Sequence, residues 1–249
     1  MLRRLRTAAR ILKYRFPVNV SCNLCNWKGR RLDSDIWHPF TVCWRCRSDV
    51  RHRLLMATLL AHPRLSQESL CRNKRILHFA PEQQLSHILR NSASDYVTAN
   101  IRGPVDMRLD MTRMPEVADE SFDLVVACDV LEHVSSDRAA LKENLRILKK
   151  GGCAILTVPQ KDGLADTYED PTIVDPAERE RVFGQHDHLR IYGQSFPRIL
   201  ESQGFEPIVV DETSFSADVV KRNVLFPPVL SPHPLATNYR KVFFAMKPA

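Results

Sequence analysis

Apolar positions along the chain fall into two spacings. Short apolar runs recur at Arg75–Phe79, Phe122–Cys128, 153–158, 205–210 and Val242–Met246, with shorter ones at 95–99 and 107–109. Runs of this length without strict alternation read as strands buried on both faces. Between them the spacing turns helical. Leu141, Leu145 and Leu148 share a face behind Asp137, a predicted cap. Leu54, Leu55, Leu59 and Leu60 form a stripe behind Ser48, and Phe196, Ile199 and Leu200 follow Ser195. Lys149 and Lys150 suit the negative end of the 137–148 helix, and Gly151-Gly152 a left-handed stop. Strands alternating with helices predict an open α/β sheet, doubly wound and largely parallel. Such sheets bind ligands beyond the carboxyl ends of their strands, so Asp129 to His133, within DVLEHV after the 122–128 strand, stands where a ligand would.

Composition narrows this picture. No apolar run reaches the roughly 20 residues that a membrane-spanning helix needs. The first stretch, MLRRLRTAARILKYRF, is basic but has no continuous apolar core or cleavage site. It is read as a solvated or amphipathic surface segment over residues 1–20, not a secretory leader, and the expected compartment is cytoplasmic. The net charge of +7 is unevenly spread: residues 1–75 hold 17 Lys/Arg against 4 Asp/Glu, and residues 76–249 hold 19 against 25. This predicts two functional parts, the first drawn to an anionic partner such as nucleic acid, a phosphorylated substrate or a membrane surface.

Cys22-Asn-Leu-Cys25 and Cys43-Trp-Arg-Cys46 stand seventeen residues apart. Two CxxC turns at that separation suit a structural Zn(2+) held by four thiolates, within a zinc-ribbon-like module over 21–50. Disulfides are the alternative, against which stand the missing leader and three further cysteines, Cys71, Cys128 and Cys153. The residues between the pairs are patterned for a small hairpin. Trp27, Trp37 and Trp44 all lie in this module, interleaved with Lys28, Arg30, Arg31, Arg45 and Arg47. They read either as the core of a small module or as a stacking surface for single-stranded nucleic acid. A connecting helix and linker, 51–74, lead to the main domain, 75–249.

Polar residues at successive strand ends complete a pattern. Ala80-Pro81-Glu82 follows the 75–79 strand, Asn100 ends the second, Asp110 and Met111 follow the third, and Asp129 follows the fourth. This order resembles the class I S-adenosylmethionine-dependent methyltransferases. HFAPE (His78 to Glu82), the RHRLL segment (Arg51 to Leu55), YEDP and DPAERERVFGQHDHLRIYG resemble a subfamily with an N-terminal four-cysteine zinc module. The resemblance implies a Rossmann-like sheet with an antiparallel last strand and S-adenosyl-L-methionine as methyl donor. It implies a donor site including His78, Ala80, Pro81, Glu82, Asn100, Asp110, Met111 and Asp129. The first loop is glycine-free and Asn100 replaces the usual acidic residue, both departures from the general pattern. The implied reaction is methyl transfer to an unassigned small-molecule or sugar-type acceptor. An RNA methyltransferase gripping nucleic acid through the basic lobe, and a non-catalytic binding protein, are the alternatives.

Residues 160–193 form an insertion on the acceptor side. Asp175 is predicted to cap a short helix starting at Pro176 and ending at Gly184. Then come His186, Asp187, His188, Arg190 and Tyr192, the densest acid/base cluster in the chain. His133, His186 and His188 are the catalytic candidates, weighed against plain loop hydrogen bonding. Asp129, Glu132 and His133, at i, i+3 and i+4, resemble the metal-binding ExxEH of ubiquinone-pathway O-methyltransferases and small-RNA 2′-O-methyltransferases. That resemblance implies a second divalent metal, with His186 or His188 completing the site. The proline-rich stretch from Leu225 to Asn238 is placed at the edge of the acceptor pocket.

Overall fold

The computed structural model describes residues 18–249; the basic segment expected over 1–20 lies almost wholly outside the described residues. The strands in chain order are β1 (Val20–Ser21), β2 (Lys28–Gly29), β3 (Arg75–Phe79), β4 (Asp95–Asn100), β5 (Met107–Arg108), β6 (Phe122–Cys128), β7 (Leu148–Thr157), β8 (Tyr168–Glu169), β9 (Arg190–Ile191), β10 (Glu206–Val210) and β11 (Val242–Met246), and seven of them, β3 to β7 with β10 and β11, form the main sheet. Their spatial order is β10-β11-β7-β6-β3-β4-β5. The five strands from β5 to β7 run parallel, and β11 is antiparallel to both β7 and β10. The expected doubly wound sheet with an antiparallel end is therefore the observed one. The order reverses beside β3, so the carboxyl ends of β3, β4 and β6 open onto one crevice.

Alternation along β3 divides the core. Leu77 and Phe79 face one layer, with Val125, Ala127, Leu156 and Phe243, against Ala140, Leu141 and Ile147 of the Asp137–Ile147 helix and Phe196 and Leu200 of the Phe196–Ser202 helix. Ile76 faces the other, with Val126, Ile155 and Phe244, against Leu54, Leu55 and Leu59 of the Val50–Ala61 helix and Leu85 and Leu89 of the Gln83–Ser92 helix. The connecting helix therefore forms one of the layers that cover the sheet. Nine of its twelve residues are buried. Leu60, expected on its apolar stripe, is 61% exposed instead, because the sheet takes up Leu55 and Leu59 and leaves the next position outside.

Several predicted helix ends move. Asp49, not Ser48, caps the 50–61 helix: its carboxylate accepts from Val50 N, while His52 Nδ1 accepts from Asp49 N. Ser48 Oγ instead meets the sulfurs of Cys22 and Cys46. Ser136, not Asp137, caps the Asp137–Ile147 helix, and the Asp137 carboxylate accepts from the buried Tyr192 hydroxyl. Lys149 to Gly152 belong to β7, where Lys149 pairs with Asp123; the positive φ of Gly151 falls inside the strand and does not end the helix. Asp175 and Gly184 behave as expected, whereas Ser195 makes no side-chain cap bond.

The cysteine module carries a two-stranded hairpin, β1 (Val20–Ser21) with β2 (Lys28–Gly29), and a bridge between Asp33 and Val42. Its buried centre is Cys22, Leu32, Cys43 and Val224, with Trp27 packed alongside. None of the three tryptophans is fully buried. Trp37 packs edge-on against His233, and Trp44 Nε1 donates to Arg31 O. The module leans on the main domain through Val224 and on Arg53, whose guanidinium is wholly buried and donates to the carbonyls of Thr41, Ser48, Asn223 and Val224. Replacing Arg53 with Met leaves those carbonyls dry and unpaired. Unfolding by denaturant should show a loss of about 3–5 kcal/mol, and a loss under 1 kcal/mol would show that the carbonyls find water.

Candidate functional site

A cavity of about 510 Å³ lies at the carboxyl ends of β3, β4 and β6. Phe79, Ala80, Asn100, Asp110, Met111, Asp129, Val130, His133 and Asp187 are among the residues that line it. Five of the expected donor-site residues, Ala80, Asn100, Asp110, Met111 and Asp129, thus meet in one place. The other three do not line it. His78 is fully buried in β3 on the opposite face from Phe79, its Nδ1 2.8 Å from the Tyr96 hydroxyl. Burial holds its imidazole down at about 4, so it stays neutral near pH 7. Pro81 does not line the cavity, and Glu82 reaches the 50–61 helix, where its Oε1 accepts from Arg51 Nη2 at 2.6 Å and lies 2.9 Å from His52 Nε2.

The loop after β3 keeps a glycine-like shape without glycine. Ala80 sits at φ 43° and Asp129, across the cavity, at φ 51°. Left-handed backbone costs a residue with a Cβ about 1–2 kcal/mol, and such strain clusters where a ligand needs the backbone close. Asn100 Oδ1 accepts from Ile101 N, and Asp110 Oδ1 accepts from Thr112 N and Oγ1.

Asp129 is the most heavily engaged of these side chains. Its Oδ1 accepts from Thr157 Oγ1 at 2.7 Å, and its Oδ2 lies 3.2 Å from Arg51 Nε and 3.9 Å from Arg240 Nη1. Burial pushes the carboxyl up, but Arg51, then Arg240 and Thr157, outweigh it and hold it at about 2. Arg51 and Arg240 were missed by reasoning along the sequence. Their partners lie 78 and 111 positions away from them, and no local spacing reveals that.

At the outer end His133 meets the insertion. Its Nδ1 lies 3.3 Å from Asp187 Oδ2, and its ring packs edge-on to His188 at 4.8 Å. His188 Nδ1 is bound to Phe183 O at 3.1 Å. Glu132, His133 and His188 bring one donor atom each within 4.8 Å of one another, a set that a divalent cation could use. Asp129, expected as the first ligand, is absent from that set because it faces the arginines. Glu132 Oε2 is buried with no partner; burial, then the Asp129 charge, raises its carboxyl well above the usual range. His186 is exposed and does not line the cavity. Arg190 is wholly buried: it grips Glu169 with both ends of its fork and donates to the carbonyls of Leu131, Val134 and Ser135. Its role is to hold the DVLEHV turn. Behind His188 lies a smaller cavity of about 150 Å³, lined by Trp37, His38, Ile191, Leu235, Thr237 and Arg240 among others. Leu235 and Thr237 of the proline-rich stretch line this smaller cavity, and no residue of that stretch lines the large one.

The four cysteines converge as well. Their sulfurs lie within 4.8 Å of one another, with Cys22–Cys46 and Cys25–Cys43 at 3.6 Å, and all are free thiols. Ligands at about 2.3 Å from a tetrahedral zinc stand about 3.8 Å apart, so the spacing fits that ion. The two turns match: Asn26 and Arg47, each just after a CxxC pair, have φ of 58° and 59°, and each donates its N–H to the carbonyl of the pair's first cysteine. The Cys43 thiol beside it draws Cys22 down to about 4, while burial raises Cys25 to about 11.

Residues 74–156 match the family model described as methyltransferase domain. No curated protein matches the chain. Among solved structures, the chain is similar to a 1,6-didemethyltoxoflavin-N1-methyltransferase of Burkholderia thailandensis, solved with bound 1,6-didemethyltoxoflavin and S-adenosylhomocysteine (14% identity over 80% of this chain and 79% of that one, TM-score 0.51). It is also similar to the [4+2]-cyclase SpnF (18% identity, 86% and 89%, TM-score 0.52). The fold is the Rossmann-like fold of class I methyltransferases, and it houses more than one chemistry.

Two outcomes follow. Ala80→Gly should raise stability by about 0.5–1 kcal/mol in denaturant unfolding, and a loss would show that the methyl group packs usefully. Asp129 has a depressed folded-state pKa, so its stabilisation is complete above the ordinary carboxylate range and is lost as pH falls toward about 2. The stability gap between wild type and Asp129→Asn should stay constant from about pH 8 to 5 and narrow below about pH 4. A gap that changes near neutrality would assign the effect to another group.

Proposed function

We propose that the chain transfers a methyl group from S-adenosylmethionine to a small-molecule or sugar-type acceptor, and that its four cysteines hold a structural zinc ion. The observation that supports this most is the convergence of Ala80, Asn100, Asp110, Met111 and Asp129 on one cavity at the strand ends. In this reading Phe79 and Met111 wall the adenine and Asp110 meets its edge. The Asn100 amide serves the ribose, and the methionine part lies toward Asp129. The acceptor enters from the His133 and Asp187 end. It attacks the methyl carbon in line, the carbon–sulfur bond breaks, and sulfur keeps the electron pair as a neutral thioether. Positioning carries much of such a reaction.

An acceptor that must lose a proton can pass it to an imidazole. Both His133 and His188 have Nδ1 engaged, which leaves Nε2 of each to serve. His186 is the weakest of the three candidates because it is exposed. A divalent cation on Glu132, His133 and His188 is a second reading for this end, favoured by the orphaned Glu132 Oε2; when bound it would polarise an acceptor oxygen.

Calorimetry of zinc-loaded protein with S-adenosylhomocysteine should show saturable binding. Tritium from labelled donor should then pass into the low-molecular-weight fraction of a cell extract. Label that enters an RNase-sensitive fraction would replace the small-molecule acceptor with RNA, and lack of any binding would leave a non-catalytic binding protein. Replacing His133 with Ala should lower kcat about 10²–10⁴-fold if it takes the proton, with donor affinity unchanged.

A further inference from the structure

The smaller cavity, of about 150 Å³, lies where the cysteine module, the insertion and the proline-rich stretch meet. His38 lines it, is 8% exposed, and has a buried Nε2 with no hydrogen-bond partner. A buried polar atom left unpaired at a cavity wall calls for a ligand or a water that supplies the partner. The rest of the ring is held from behind. Asp35 Oδ1 accepts from Trp37 N and His38 N, and His38 Nδ1 lies 3.9 Å from that same oxygen. The carboxylate favours the proton on Nδ1, so Nε2 keeps a lone pair.

The other walls narrow the class of ligand. Both charges at the cavity are already answered: Asp35 by the two backbone N–H groups, and Arg240 by the Asp129 carboxylate 3.9 Å away. What remains is neutral. The Thr237 hydroxyl is buried and makes no hydrogen bond among the described residues. Burial holds His188 below the usual imidazole range, and its Nδ1 is bound to Phe183 O, which leaves Nε2. Ile191 and Leu235 are apolar. A charged ligand would find no free counter-charge here, and a hydrocarbon would leave His38 and Thr237 unpaired. A hydroxyl both donates and accepts, and a sugar ring joins hydroxyls to C–H faces that pack on apolar walls. The volume is that of about five waters, which suits one edge of a sugar ring and is too small for a nucleotide.

The small cavity shares a wall with the large one. His188 packs edge-on to His133 of the large cavity at 4.8 Å, and Arg240 reaches Asp129. We propose that the small cavity binds a hydroxyl-bearing edge of the methyl acceptor, with His38 accepting from one hydroxyl and Thr237 bonding another, so that the acceptor is a sugar or a similar polyol. This rests on the reading above that the acceptor enters at the His133 and Asp187 end. It gives the loop between the two cysteine pairs a part in choosing the acceptor.

The test follows the histidine side chains of zinc-loaded, isotope-labelled protein by NMR, with and without S-adenosylhomocysteine. Methyl glycosides of glucose, galactose and mannose are titrated to millimolar concentration, with cyclohexanol and inorganic phosphate as comparisons. At least one glycoside should shift the His38 Nε2 resonance saturably, and neither comparison should. A resonance that no glycoside moves would mean that water alone pairs Nε2, and one that phosphate alone moves would mean an anion site; either overturns the proposal. In the tritium assay, His38→Phe and Thr237→Val should each lower transfer into the low-molecular-weight fraction by about 3- to 10-fold, with S-adenosylhomocysteine affinity unchanged. Full transfer by both variants would overturn the link to the acceptor, and loss of S-adenosylhomocysteine affinity in both would make the two residues structural only. If wild type binds no S-adenosylhomocysteine, the methyl-transfer reading falls by itself, and the glycoside titration still decides the sugar site.

Discussion

The molecule depends on a buried positive charge that has no carboxylate of its own. Arg53 is fully enclosed and satisfied by four backbone carbonyls, two from the cysteine module and two from the end of the Ala217–Asn223 helix. Removing a guanidinium from water is costly, and burial accordingly depresses its pKa; the nearby Asp49 carboxylate, then the cysteine thiolates, pull the other way. Such an arrangement is stable only if every carbonyl stays in place. It therefore fixes the module, the 50–61 helix and the C-terminal half of the main domain as one body. A four-thiolate zinc site, which is net negative, would stand beside this charge and offset part of its burial.

Much of the fold was legible along the chain because it follows from local chemistry. Short apolar runs became strands, the rule of ligands at strand carboxyl ends pointed to Asp129, and the family resemblance implied Ala80, Asn100 and Asp110. The misses share a cause. Ser48, Asp137 and Lys149 all carried plausible local roles, but each side chain was taken by a distant partner: cysteine sulfur, Tyr192 and Asp123. His78 looked like a site residue because it adjoins the loop, yet strand alternation turns it to the opposite face from Phe79. The glycine-free loop reads as a departure in sequence, but the backbone at Ala80 keeps the left-handed turn that glycine would adopt freely.

The acid/base cluster in the insertion divides by burial. Arg190 and Tyr192 are internal and bind the DVLEHV turn and its helix; His188 is buried against His133; His186 is left outside. A sequence lists these residues side by side and cannot separate the clamp from the chemistry. The Tyr168–Glu169 strand and its pairing with Arg190–Ile191 make the separation, because they turn Arg190 inward. The basic lobe is likewise less free than its charge suggests: Arg53 is internal, Arg51 is half-buried and paired with Glu82, and Arg47 pairs with Asp33.

The spacing of Arg51 and Arg53 has a mechanical consequence. Two residues apart on a helix, they are turned by about 200° about its axis, one toward Glu82 and Asp129 and one toward the Thr41 and Ser48 carbonyls of the cysteine module. The helix is thus a rod pinned on opposite sides. It cannot roll to relieve strain at one pin without loading the other, so a disturbance in the module reaches the cavity wall as torque and is not absorbed in a linker.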